Sequence, residues 1–146
     1  MDIVAVIDTN VWVSAFLNPV GFPAKVLAAA QARRFEVLTS DPLLDELLDV
    51  LQRSRLMRVR CTTRKQAEAF VNDIAEVTHI VPISGHLHLC RDPKDDIVLE
   101  TAIVGGATHI VSRDEDLTRD PELLRWLEER NIRAVTVNRF LGEVGM

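Results

Sequence analysis

Apolar residues along this chain fall into two patterns. Short unbroken runs occur at residues 3–7, in "FEVLTS", in "HIVPI", in "THIVS" and in "RAVTV", each the length of one strand and rich in β-branched residues. Between them the apolar positions recur every three or four residues, as amphipathic helices require. In "DPLLDELLDVLQR", Leu43, Leu44, Leu47, Leu48 and Leu51 form one stripe, with Asp41 as cap and Pro42 at the first helical position. Thr63-Arg64-Lys65-Gln66 fits a capping box, and the helix it opens carries Ala67, Phe70, Val71, Ile74 and Val77 on one side.

The remaining helices follow from their punctuation. "TNVWVSAFL" begins a helix after the first strand, Asn18-Pro19-Val20-Gly21 is a turn, and a second helix covers about 23–33. A helix from Asp96 to Val104 stops at Gly105-Gly106, and Asp120-Pro121 caps "ELLRWLEER". Strands alternating with helices predict an α/β fold, a parallel twisted sheet of about five strands with helices on both faces. Ligands in such folds bind at the carboxyl ends of the strands.

The chain has 146 residues, 47% apolar and 27% charged, and reads as one domain over residues 1–146. No apolar run reaches the roughly 20 residues that span a bilayer. Asp2 stands where an export signal carries positive charge, and Cys61 and Cys90 read as free thiols, so the expected compartment is the cytoplasm. The net charge of −5 argues against a general nucleic-acid-coating protein but not against a nuclease, whose acids gather around a metal.

Those acids cluster after the strands. Asp8 follows the first strand, and Asp41, Asp45 and Glu46 follow the second. Asp92, Asp95 and Asp96 lie in "RDPKDD", Asp114 and Asp116 in "SRDED". Each of Asp8, Asp41, Asp95 and Asp120 has an alternative reading as a helix cap. Capping accounts less well for Asp96 beside Asp95 and Asp116 beside Asp114, because crowded carboxylates repel unless protons or cations intervene. Oxygen ligands without His or Cys suit Mg²⁺ or Mn²⁺, not zinc. His86, His88 and Cys90 of "GHLHLC" alternate on one face, yet lack a fourth ligand at recognisable spacing.

The blocks "VIDTNVWVSAFL", "SDPLLDELLDVL" and "DPKDDIVLETAIVGGATHIVSRDEDL", with the final short strand, resemble a PIN domain from Asp2 to about Val137. The likeness is to the small bacterial PIN proteins that serve as toxin ribonucleases of toxin–antitoxin pairs (VapC-like). It implies a PIN-like fold with an acidic pocket at the carboxyl ends of the strands, and a Mg²⁺- or Mn²⁺-dependent endoribonuclease leaving 5′-phosphate and 3′-hydroxyl ends. Its four acids are Asp8 of "DTN", Glu46 of "DELL", Asp95 of "DDIVLETA" and Asp114 of "SRDEDL". Asp95 is preferred to Asp96 because it stands seven residues before Ala102. Asp96 and Asp116 remain alternative or additional metal ligands, and Asp92 an outer neighbour. Periodicity alone leaves Glu46 exposed; only the resemblance raises it. Thr9, Asn10 and Ser112 serve either as caps or to orient ligands.

The resemblance further implies an RNA substrate, an antitoxin protein partner and a homodimer. From Arg53 to Lys65 the chain carries six basic residues and no acid, a guide for an RNA backbone, a solvated loop and helix start, or a docking surface for an acidic partner. Two rivals stand beside the nuclease. A receiver-like phosphoacceptor would place a Lys after a late strand, where this chain has Arg113 and Asn138. A catalytically silent PIN-like binding module, or a PIN nuclease of general RNA processing and decay, uses the same fold.

Overall fold

Residues 2–145 are described by a computed structural model. In chain order the elements are β1 (Val4–Ile7), α1 (Thr9–Leu17), α2 (Phe22–Gln31), β2 (Glu36–Thr39), α3 (Asp41–Leu51), α4 (Ser54–Arg60), α5 (Arg64–Val77), β3 (Thr78–Ile80), α6 (Pro93–Gly105), β4 (His109–Val111), α7 (Glu115–Thr118), α8 (Pro121–Glu128), β5 (Arg133–Val135) and α9 (Val137–Glu143). The five strands form one parallel sheet in the order β3-β2-β1-β4-β5, with Val6 opposite Leu38 on one side and Ile110 on the other.

Successive strand residues point to opposite faces, and both faces are covered. Ala5, Ile7, Val37, Val111 and Val135 pack against Val11 and Trp12 of α1, Val26 of α2, Leu47 and Leu51 of α3, Ile74 of α5 and Phe140 of α9. Val6, Leu38, Ile110 and Ala134 pack against Val98, Leu99 and Ala102 of α6, Leu117 of α7 and Leu123 and Leu127 of α8. The leucine stripe of α3 faces the core as the sequence predicts; Trp12 of α1 is buried and Trp126 of α8 half-buried. Among the described residues no single helix is long and apolar enough to cross a membrane.

The chain runs from β1 outward through β2 and β3, then returns to lay β4 and β5 on the other side. The order therefore reverses between β1 and β4, which opens a crevice at their carboxyl ends. Asp8 and Ser112 are the residues that leave those two strands.

Several boundaries differ from the sequence prediction for identifiable reasons. "HIVPI" is strand only to Ile80: Val81 N–H still bonds Thr39 O at 2.7 Å, and Pro82 then lacks a donor. "RAVTV" ends at Val135 because the Thr136 hydroxyl turns to cap α9, accepting from Arg139 N–H at 3.3 Å. Ser40, not Asp41, is the capping residue of α3, and Pro42 stands second in the helix. The helix predicted from Asp96 starts at Pro93, capped by Asp92, which accepts from Lys94 N–H at 2.9 Å. Gly106, at φ 71°, ends it as predicted.

The early start of α6 explains the surplus acid. Asp96 and Glu100 stand one turn apart, both buried, and hold the irregular segment 81–92 against the helix. Glu100 accepts from the Ser84, Gly85 and Leu87 amides at 2.7, 3.0 and 3.2 Å and from the Ser84 hydroxyl at 3.2 Å. Asp96 accepts from the Leu89 and Cys90 amides at 2.9 and 2.7 Å. Desolvation raises both pKa values, but the backbone amides outweigh it and leave both below their ordinary values. The stability these acids contribute is present above their unfolded pKa values, about 4, and is lost as pH falls below that.

Glu100→Gln sets an amide N–H₂ against this ring of donors. The variant should lose about 1.5–3 kcal/mol in urea unfolding at pH 7, with faster hydrogen exchange at Ser84, Gly85 and Leu87. Unchanged stability and exchange would show that Glu100 does not hold the segment.

Candidate functional site

Asp8 is fixed twice. Its N–H bonds Val111 O at 2.8 Å, continuing the β1–β4 ladder, and its carboxylate accepts from Thr9 N–H at 2.8 Å and from the Ser112 hydroxyl at 2.7 Å. The fully buried Ser112 hydroxyl also accepts from Asp114 N–H at 2.9 Å and Asn10 Nδ2 at 3.4 Å, while Asn10 Oδ1 accepts from Arg113 N–H at 3.2 Å. The segments "DTN" and "SRD" thus form one hydrogen-bonded unit across the crevice. Thr9 extends it, its hydroxyl donating to Glu46 Oε2 at 3.2 Å.

Asp8, Glu46, Asp95 and Asp114 line a single cleft of about 420 Å³, with Thr9, Asn10, Arg53 and Lys94 beside them. They come from four places: the end of β1, the middle of α3, the first turn of α6 and the residue capping α7. Glu46 is the one that periodicity leaves exposed. Its side chain is 21% accessible, drawn inward by Thr9 and by Lys94 Nζ at 3.5 Å from Oε1. Lys94 had no signal in the sequence beyond its place inside an acidic run.

The cap and the cleft are not rivals here. Asp8 accepts from Thr9 N–H at the start of α1, and Asp114 accepts from Asp116 N–H at 2.9 Å, yet both face the cleft. Asp120 is a cap, accepting from Glu122 N–H at 3.0 Å, and lies outside this cleft. Asp96, considered as a ligand from sequence, is turned to the Leu89 and Cys90 amides instead. Asp116 is exposed and faces Arg91 at 3.7 Å, in the neighbouring cavity that Asp92 and Asp95 also line.

Crowding registers in the proton affinities. Burial, then the charges of Asp114, Asp8, Asp92 and Asp116, push Asp95 up to about 7. Burial also raises Asp8, against the lowering effect of Ser112 and Thr9, with Glu46 and Asp114 adding to the rise. Among the described residues no three of His, Cys, Asp and Glu are gathered closely enough to hold an ion as they stand. The donors nonetheless fit a hard divalent cation, being carboxylate oxygens whose repulsion such a charge relieves.

Comparison with known proteins adds the following. A family model described as PIN domain matches residues 4–116. The uncharacterized protein MJ1680 of Methanocaldococcus jannaschii is 27% identical over 140 residues, covering 94% of this chain and 89% of that protein. A chain in the crystal structure of VapBC2 from Rickettsia felis, bound to a DNA fragment from its promoter, superposes with a TM-score of 0.60 at 15% identity, over 92% of this chain and 98% of that one.

A raised carboxylate pKa means the native state binds its proton more tightly than the unfolded chain, so stability falls as pH rises from about 4 toward 7. Asp95→Asn removes that loss. In metal-free protein it should raise Tm at pH 8 and leave it nearly unchanged at pH 4.5. An equal shift at both pH values would show that Asp95 is not under this electrostatic load.

Proposed function

The chain belongs to the PIN domain family, and from that premise we propose that it is a metal-dependent endoribonuclease acting as the toxin of a toxin–antitoxin pair. The observation that carries the reading is the meeting of Asp8, Glu46, Asp95 and Asp114 in one cleft at the point where the strand order reverses.

Asp8 and Asp95 are the principal candidates to hold Mg²⁺ or Mn²⁺, with Glu46 and Asp114 completing the set. A bound divalent ion supplies a water of lowered pKa and a Lewis acid for the charge that builds on phosphate and leaving oxygen. The chain's own residues then have defined tasks. Ser112 and the Thr9 amide aim the two oxygens of Asp8, and Ser112 ties Asp114 to the same point. Thr9 and Lys94 hold Glu46 at the rim. Burial and the neighbouring acids push Asp95 up to about 7 in the absence of a cation, so ion capture there would be coupled to proton release.

Arg53 reaches the cleft, and α4 presents Arg55 and Arg58 to solvent, consistent with a phosphate backbone approaching from that side. The VapBC2 assembly supports an antitoxin partner for this chain, and the homodimer is proposed from the family likeness alone. A silent binding module would retain the repulsion around Asp95 without a cation to offset it, which favours the enzyme.

Single-stranded RNA incubated with the protein and Mn²⁺ should be cut, and a chelator should stop the reaction. Asp8→Asn should abolish cleavage with the fold intact. Ser112→Ala, which only mis-aims Asp8 and Asp114, should cost about 10–100-fold. Full activity in Asp8→Asn would remove Asp8 from the mechanism.

A further inference from the structure

Two larger hollows flank the acidic cleft, one carrying more arginine and the other more carboxylate. On one side a hollow of about 690 Å³ shares Ser14 with the cleft and sets Arg113, Arg119 and hydroxyl and amide side chains beside Glu115 and the apolar Phe22, Pro23 and Val137. Arg113 donates to Ser14 Oγ, and Arg119 lies 3.3 Å from Glu115. On the other side a cavity of about 820 Å³ shares Asp92 and Asp95 with the cleft. Leu89, Pro93, Leu123 and Trp126 give it apolar walls, and Asp116, Asp120, Glu122 and one cation, Arg91, also line it.

Phosphates and bases sort differently between such surfaces. Arginine and hydroxyl donors hold the nucleic-acid backbone without regard to sequence. An acidic cavity repels phosphate, whereas an unstacked base finds an indole and aliphatic walls to lie against and carboxylates to accept its N–H groups. The carboxylates are not equally free. Asp120 already accepts from the Glu122 and Leu123 amides, and Asp116 faces Arg91. Glu122 is exposed and makes no ion pair among the described residues. Trp126 is held in place by Arg130, whose guanidinium lies 3.7 Å from the ring centroid and donates to Trp126 O at 2.8 Å.

We infer, resting on the nuclease reading, that the Trp126 cavity takes one unstacked base of the RNA strand and sets sequence preference at the cut. The strand's neighbouring phosphates then run over Arg113 and Arg119 on the far side of the cleft. Guanine suits the cavity best of the four bases, because its N1–H and N2–H₂ present two parallel donors to the two oxygens of Glu122. The cavity's continuity with the cleft through Asp92 and Asp95 puts the bound base next to the bond to be cut.

The first test needs no catalysis. Metal-free protein is titrated with guanosine, adenosine, cytidine and uridine while the indole N–H of Trp126 is followed by NMR, with core-buried Trp12 as reference. Guanosine should shift Trp126 saturably and uridine should not, and Glu122→Gln should weaken guanosine binding at least fivefold. No saturable shift with any nucleoside, or equal affinity in Glu122→Gln, overturns the inference. So does occupation of the cavity by a synthetic Leu/Arg peptide where guanosine leaves it empty, since a cationic peptide is the rival occupant. Cut-site mapping on a random single-stranded RNA pool with Mn²⁺ separates this inference from its premise. Guanosine binding without any RNA cleavage would sink the nuclease and leave a nucleoside site. Cleavage with the same base preference in wild type and Glu122→Gln would keep the nuclease and sink the pocket.

Discussion

Parallel pairing of β1 with β4 is the constraint on which the candidate site rests. It sets Asp8 beside Ser112 at the crevice where the chain changes direction across the sheet, and one hydroxyl then ties Asp8, Asn10 and the Asp114 backbone together. The covering helices add Glu46 and Asp95 because α3 follows β2 and α6 precedes β4. Apolar packing on both faces of the sheet holds these carboxylates at a separation they would not choose for themselves. The repulsion appears as the raised proton affinity of Asp95.

Helix α6 makes the distinction between a structural and a functional carboxylate explicit. Asp95, Asp96 and Glu100 lie within two turns of one helix. Asp96 and Glu100 are surrounded by backbone N–H groups, and their proton affinity falls. Asp95 is surrounded by other acids, and its proton affinity rises. Adjacent residues on a helix point about 100° apart, so two neighbouring aspartates face opposite tasks. The segment held by Asp96 and Glu100 in turn carries Leu89 and Cys90 to the wall of the cavity beside the cleft.

The sheet, the leucine stripe of α3, the Thr63 capping box and the helix stop at Gly106 were legible in the sequence because each follows from a local rule. The convergence of Asp8, Asp95 and Asp114 was legible from their position after strands. Glu46 was not, since its inward turn depends on Thr9 and Lys94, one distant in sequence and the other on a different helix. The role of Asp96 was also hidden. Two adjacent acids look like a surplus of ligand until the path of residues 81–92 is known, and that segment has no periodicity to predict it. Helix α4 buries none of its residues, so no apolar stripe announced it, and the basic run it carries looked equally like a loop.

The central claim is that the four carboxylates meet in order to share a divalent cation. Anomalous diffraction from a crystal soaked in Mn²⁺ at pH 8, above the raised value for Asp95, tests it most directly. The account predicts a peak within coordination distance of Asp8 and Asp95. A cleft without anomalous density, the carboxylates keeping only their present hydrogen bonds, would contradict it.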